Sequence, residues 1–247
     1  MNIIISPAKN MQAEGDIIHV SSSPVFLNKT KELWKTLAGY TKEELKKLYK
    51  ANDTITELNY RRIREMDLDK GITPAVLAYA GLQYQSMAPG VFTDKQWDYI
   101  GKHLFILSGF YGILRAMDGV VPYRLEMQAR LPANGEKDLY GYWKDSLYKE
   151  LTKDSRIIVN LASKEYSKAI EPYLTEDDTF LTCVFGSLTD GKVKVKATEA
   201  KMARGSMVRW MAEHNIEQVE ELKKFDQGGY CYTPEYSTER EIVFLHK

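Results

Sequence analysis

Along much of the chain, short apolar runs that stop at small polar residues take turns with stretches whose apolar positions recur every three or four residues. Ile3–Ile5 is β-branched and ends at Ser6-Pro7, so Asn2–Ser6 reads as a short buried strand. Leu104–Leu107, running into Ser108-Gly109, and Ile157–Val159, ending at Asn160, read the same way. Helical spacing fills the intervals. Pro24–Ala38 places Phe26, Thr30, Leu33, Trp34 and Leu37 on one face, with Gly39 as its stop. Thr41-Lys42-Glu43-Glu44 is a capping box for a second helix with Leu45, Leu48 and Tyr49 inward. Asn52 or Asp53 caps a third helix, through Ile55, Leu58 and Ile63. Ala75–Ala80 is short and apolar, and strand is favoured over helix. Thr93 opens a helix to about His103, and Asp138 another that carries Tyr142, Trp143, Leu147 and Leu151.

Later, Thr179–Phe185 and Lys192–Lys196 predict a hairpin about Thr189-Asp190-Gly191. A helix follows from Glu199 to about His214, then strands at Gly229–Tyr232 and Glu241–Leu245. The expected fold is α/β with α+β mixing: a central mixed sheet flanked by helices, in a single domain over 1–247. A helical hairpin at about 38–64 is inserted in it.

Apolar residues at 44% and charged residues at 28% argue for a packed globular chain and against disorder. No apolar run is long enough for a bilayer, so no membrane contact is expected. The segment Met1–Pro7 lacks the basic start of a secretory leader, and Cys183 and Cys231 form no Cys-x-x-Cys pair. Together these predict a cytoplasmic protein with reduced thiols, and neither cysteine has the context of a redox sensor. The formal net charge is zero, which weighs against a chain basic throughout and directs attention to local patches.

Three strand ends offer hydroxyl, amide or amine groups beside small residues: Ser6–Lys9, Ser108–Gly112 and Asn160–Ser163. Ligands of open α/β sheets gather there, although Ser and Asn also serve simply as helix caps. The segment Ser108–Met127 is the densest in chemistry, with Ser108, Tyr111, Arg115, Asp118, Tyr123, Arg124 and Glu126. Arginine forks suit phosphate or carboxylate and tyrosines suit stacking; an Arg115–Asp118 ion pair is the plainer alternative. From Lys192 to Arg209, bases far outnumber acids. Lys192, Lys194 and Lys196 alternate with Val193 and Val195 as one basic and one buried face, and Lys201 and Arg204 share a helical face. A phosphate-binding surface and a solvated face both fit. Ala38–Arg64 is also basic and reads either as an ordinary hairpin or as one that aims amides at a phosphate. No phosphate-binding GxxxxGK loop or GxGxxG fingerprint occurs, and His19, His103, His214 and His246 have no metal-ligand spacing. No cofactor and no metal site is expected. For acid–base work the candidates are Glu126, Glu165 and Lys9.

Taken in order, several stretches resemble the YaaA family of bacterial peroxide-stress proteins. They are Ile5–Lys9, Leu107–Arg115, Pro122–Met127, Asn160–Tyr166, Lys201–Gly205 and Phe225 with Gly229-Tyr230. The chain departs from the family at Ala116, where a proline usually follows the arginine. The resemblance implies a cytosolic protein that limits iron-dependent peroxide damage, with a positively charged cleft. It also implies DNA as a partner, and a helix-hairpin-helix element that maps near Ala38–Tyr60. On that reading Lys46, Lys47, Lys50, Arg61, Arg62, Lys194, Lys196 and Arg209 are candidates for the DNA backbone. Ser6, Lys9, Ser108, Tyr111, Arg115, Tyr123, Arg124, Glu126, Asn160, Ser163, Tyr166, Lys201 and Arg204 line the cleft, with Tyr111 and Tyr123 stacking on an unpaired base. An enzyme acting on a nucleotide or nucleobase in the same cleft is the alternative.

Overall fold

The structure, a computed structural model, describes residues 1–13 and 20–246. Among them the strands, in chain order, are β1 (Asn2–Ile5), β2 (Asn10–Met11), β3 (Thr73–Pro74), β4 (Tyr79–Ala80), β5 (Leu104–Ser108) and β6 (Gly112–Arg115). They continue with β7 (Gly119–Val120), β8 (Ile157–Leu161), β9 (Thr179–Thr189), β10 (Lys192–Lys194), β11 (Tyr230–Tyr232) and β12 (Glu241–His246). The α-helices are α1 (Leu27–Ala38), α2 (Lys42–Tyr49), α3 (Asp53–Glu65), α4 (Ala75–Ala78) and α5 (Leu82–Met87). After these come α6 (Asp94–His103), α7 (Leu139–Trp143), α8 (Ser146–Leu151), α9 (Lys164–Ser167) and α10 (Ala197–His214).

The fold is mixed α/β. The main sheet runs β11-β12-β9-β8-β1-β5-β6. Its five inner strands are parallel, and β6 and β11 close the two edges antiparallel. Parallel strands covered on both faces need no polar alternation, which is why Ile3, Ile4 and Ile5 can all be fully buried. Because β1 lies between β5 and β8, and all three point the same way, their carboxyl ends open on one side of the sheet. Two small ribbons stand apart, β2 with β4 and β3 with β7. The β9 strand outruns the sheet, and its far end folds back on β10 through Asp190 and Gly191, both at positive φ.

Helix boundaries follow local chemistry. Thr41 and Glu44 form the expected capping box, and Asn52, rather than Asp53, caps α3 by accepting from the Ile55 amide at 2.9 Å. Lys50, at φ 46°, turns the chain between α2 and α3. Thr93 donates its amide to Gln96 at 2.7 Å at the start of α6. The long helix α10 lies over β9 and packs against α5, with Gly205 at the closest approach.

Several expectations are corrected. Ala75–Ala80 is a short helix and then β4, because a six-residue apolar run carries no period by which to tell the two. The inward face of α3 is Thr56, Asn59 and Ile63, while Leu58 is exposed. The run from Asp138 is broken at Lys144, at φ 46°, into α7 and α8. The expected valine face is not buried: Val193, on β10, is half-buried, and Val195, just past the strand, is exposed. The departure at Ala116 is absorbed locally, with the Asp118 amide bonded to the Arg115 carbonyl at 3.2 Å.

Candidate functional site

The parallel neighbours β1 and β8 deliver their terminal loops side by side. The Ser6 hydroxyl accepts from the Ser163 amide at 2.8 Å and donates to the Ser163 hydroxyl at 3.2 Å. Tyr84, on α5, donates its hydroxyl to the Ser6 carbonyl at 2.9 Å. The β5 end is used differently. Ser108 is fully buried, and its hydroxyl accepts from the Phe110 and Tyr111 amides and meets the Tyr123 hydroxyl at 2.6 Å. Tyr123 bonds in turn to the Tyr79 hydroxyl at 2.7 Å. Burial pushes its phenol up to about 12. Gly109 packs so closely on Leu125 and Glu126 that an added Cβ would lie 2.6 Å from the Leu125 carbonyl oxygen. These contacts pin the segment after Pro122 across the strand ends.

Two adjoining chambers result. The inner one, of about 300 Å³, is lined by Ser6, Lys9, Gln83, Tyr84, Tyr123, Arg124, Glu126, Ser163, Glu165, Tyr166, Lys201 and Arg204. The outer one, of about 470 Å³, lies against α2 and is lined by Lys9, Tyr40, Glu44, Lys47, Tyr49, Lys50, Glu126, Gln128 and Arg130. Lys9 and Glu126 border both. Glu126 Oε1 is shared by Arg124 Nη2 at 3.1 Å and Lys9 Nζ at 3.3 Å. Burial raises the Glu165 carboxyl above the usual carboxylate range, with Glu126 adding to the shift and the Gln128 amide, at 3.3 Å, opposing it. Burial lowers the Arg204 guanidinium.

The expected cleft residues therefore divide. Ser6, Lys9, Tyr123, Arg124, Glu126, Ser163, Tyr166, Lys201 and Arg204 line the inner chamber, together with Glu165. Ser108, Tyr111, Arg115 and Asn160 do not. Tyr111 is buried and its hydroxyl accepts from the Val121 amide. It therefore presents no face to a base, and the Tyr123 hydroxyl is already engaged by Ser108 and Tyr79. Asn160 donates to Thr182 and accepts from the Ala162 amide, which shapes the loop after β8. Arg115 lies on the edge strand β6 and pairs with Asp154 at 3.7 Å. Asp118 meets the Arg115 amide instead of its guanidinium.

Of the backbone candidates, Lys47 and Lys50 line the outer chamber. Lys46, Lys196 and Arg209 are paired with Asp53, Glu199 and Glu213, and Arg62 donates to the Met11 carbonyl. Lys194 lies 4.0 Å from Asp190, and neither it nor Arg61, exposed on α3, lines a chamber. Sequence reasoning passed over Gln83, Tyr84 and Arg130. The signal for the first two was present: Ala80-Gly81 followed by Gln83-Tyr84 repeats the pattern of small residues and then polar ones seen at the strand ends.

A family model described as "Peroxide stress protein YaaA" matches residues 1–236. The chain belongs to the YaaA family of peroxide stress proteins. A general role in peroxide stress goes with that membership. Its relatives include a UPF0246 protein of Desulfitobacterium hafniense, 52% identical over 245 residues, or 99% of this chain and 98% of that one. UPF0246 proteins of Ligilactobacillus salivarius (50% over 245 residues, 99% of each chain) and Lactiplantibacillus plantarum (47% over 247 residues, 100% of each) are similar throughout. Among the described residues of this YaaA-family chain, no three His, Cys, Asp or Glu side chains gather as a metal-holding group. His19 lies outside the described residues. No helix among them is long and apolar enough to cross a membrane.

Proposed function

We propose that the protein is a cytoplasmic, DNA-binding member of the peroxide response. The outer chamber tracks the sugar-phosphate backbone, and the inner chamber receives a nucleotide of the strand. One observation carries this reading: the two chambers share Lys9 and Glu126, so a cationic path along α2 leads directly into a pocket of ligand size. Lys47, Lys50 and Arg130 make no ion pair with an acid among the described residues, so their charge is available to phosphates. DNA covered in this way would be shielded from iron-dependent oxidation. Fluorescence anisotropy on duplex, bent, junction and single-stranded DNA at low salt tests the binding, which should weaken steeply as salt rises. Undetectable binding to all four ends the reading. Equal strand scission by iron and peroxide with and without bound protein ends the shielding role.

A second reading, an enzyme acting on a nucleotide or nucleobase, draws on the contrast between two carboxylates. Glu126 sits between two cations, whereas burial raises Glu165 in the same pocket. A carboxyl raised by burial beside such a pocket suits proton transfer to a bound substrate. Mass spectrometry of nucleosides, nucleotides and oligonucleotides incubated with the protein should then show a product that Glu165→Gln abolishes. An unchanged substrate panel removes the reading.

A further inference from the structure

Five buried side-chain polar atoms lack a hydrogen-bond partner among the described residues, and two of them are Nε of Arg124 and of Arg204. Both arginines line the inner chamber. Arg124 is 9% exposed, and its one carboxylate partner, Glu126, is shared with Lys9. Arg204, half-buried on α10, has no ion pair and no side-chain hydrogen bond among the described residues, although its Nε is fully buried. Lys201, one helical turn earlier, has no acidic partner there either. A guanidinium N–H shut away from water without an acceptor is costly, unless the acceptor arrives with a ligand. Glu126 and Glu165 also face this chamber, but Glu126 is engaged by Lys9 and Arg124, the cation that acts on Glu165 is Lys9, and neither carboxylate makes an ion pair with Arg204 or Lys201 among the described residues.

We propose that Arg124, Arg204 and Lys201 form a receptor for a phosphomonoester, the terminal phosphate of a nucleic-acid strand. Two guanidinium forks and an ammonium call for several acceptor oxygens and more than one negative charge. A phosphomonoester supplies three oxygens and close to two charges, whereas a carboxylate or an internal phosphodiester supplies less. Oxidative cleavage of deoxyribose leaves strand ends that carry phosphate, so such a receptor suits the lesions of peroxide stress. The strand as the source of the phosphate rests on the DNA-binding reading above. The phosphate site itself is argued from the chamber alone.

The test uses the full chain and one single-stranded sequence in three forms: 5′-phosphate, 3′-phosphate and hydroxyl at both ends. Thermal shift is measured in parallel with a nucleoside monophosphate, its nucleoside and inorganic phosphate. One phosphorylated end should bind about tenfold more tightly than the hydroxyl form. Arg204→Gln should remove that difference, and the exposed Lys201→Ala, which does not threaten folding, should reduce it. Equal affinity for all three forms, with no shift from the monophosphate, overturns the receptor and leaves DNA binding standing. A monophosphate shift that is lost in Arg204→Gln, with no oligonucleotide bound, upholds the receptor. It also overturns the strand as its source, and the DNA-binding reading with it.

Discussion

Replacing Gly205 with alanine tests whether the inner chamber depends on one close helix contact. A Cβ at this position would lie 2.9 Å from the Gln83 carbonyl carbon and 3.0 Å from the Met87 nitrogen, and closer still to the Gln83 oxygen. Ordinary carbon contacts need ~3.5 Å, so α5 must retreat from α10 by roughly an ångström. Overpacking of this kind costs about 3 kcal/mol at the upper end of its range. The better helix propensity of alanine returns about 1 kcal/mol. The balance, about 2 kcal/mol, lowers the melting temperature of a chain this long by about 4–8 °C. Gly101, on α6, is the control, since nothing lies within 4 Å of its added Cβ. Gly101→Ala should gain about 1 kcal/mol and about 2–4 °C. Scanning calorimetry of both variants beside the parent separates propensity from contact. The walls that move also carry Gln83 and Tyr84 on one side and Lys201 and Arg204 on the other, so ligand affinity should fall together with stability. A Gly205→Ala protein as stable as the parent, with the expected rise in Gly101→Ala, would refute the idea that this contact sets the pocket width.

Three further outcomes are expected. Tyr123→Phe removes the hydroxyl between Ser108 and Tyr79 and should cost about 1–3 kcal/mol in urea unfolding with an unchanged slope; a neutral result means that the knot does not anchor the loop. Burial raises the folded-state value of Glu165, so the folded protein bears no penalty below the unfolded carboxyl pKa and acquires one as pH rises through the folded value. Glu165→Gln should therefore raise the melting temperature at about pH 7 and change it little at about pH 4; the same gain at both would contradict the cause given. If DNA lies along α2, Lys47→Ala and Lys50→Ala should each reduce the log–log salt slope of binding by about 1, and an unaltered slope removes α2 from the path.

The fold class was legible because β1, β5 and β8 are apolar runs closed by small polar residues, and because α2, α3 and α6 advertise their caps. Strand order was not legible. Only the placement of β1 between β5 and β8 brings Ser6 and Ser163 together, and no local pattern encodes it. Ser108 and Asn160 occupy strand ends just as Ser6 does, yet their side chains tie loops instead of facing the chamber. A hydroxyl that holds backbone and one that awaits a ligand look identical in sequence. Lys47 and Lys50 differ from Lys46 only in lacking an acid across the helix pair, which depends on where Asp53 falls. The α5 helix, at six residues, is too short for its period to stand out.

The β9–β10 ribbon carries a consequence beyond ligand binding. It projects past the sheet with an outer strand of three residues and with Leu188 and Val195 exposed beside it. An unpaired apolar margin invites a second copy to stack on it. The charges of Lys192 and Lys194 repel like chains and keep the margin solvated. These lysines therefore guard the ribbon edge against pairing with a second copy of the chain.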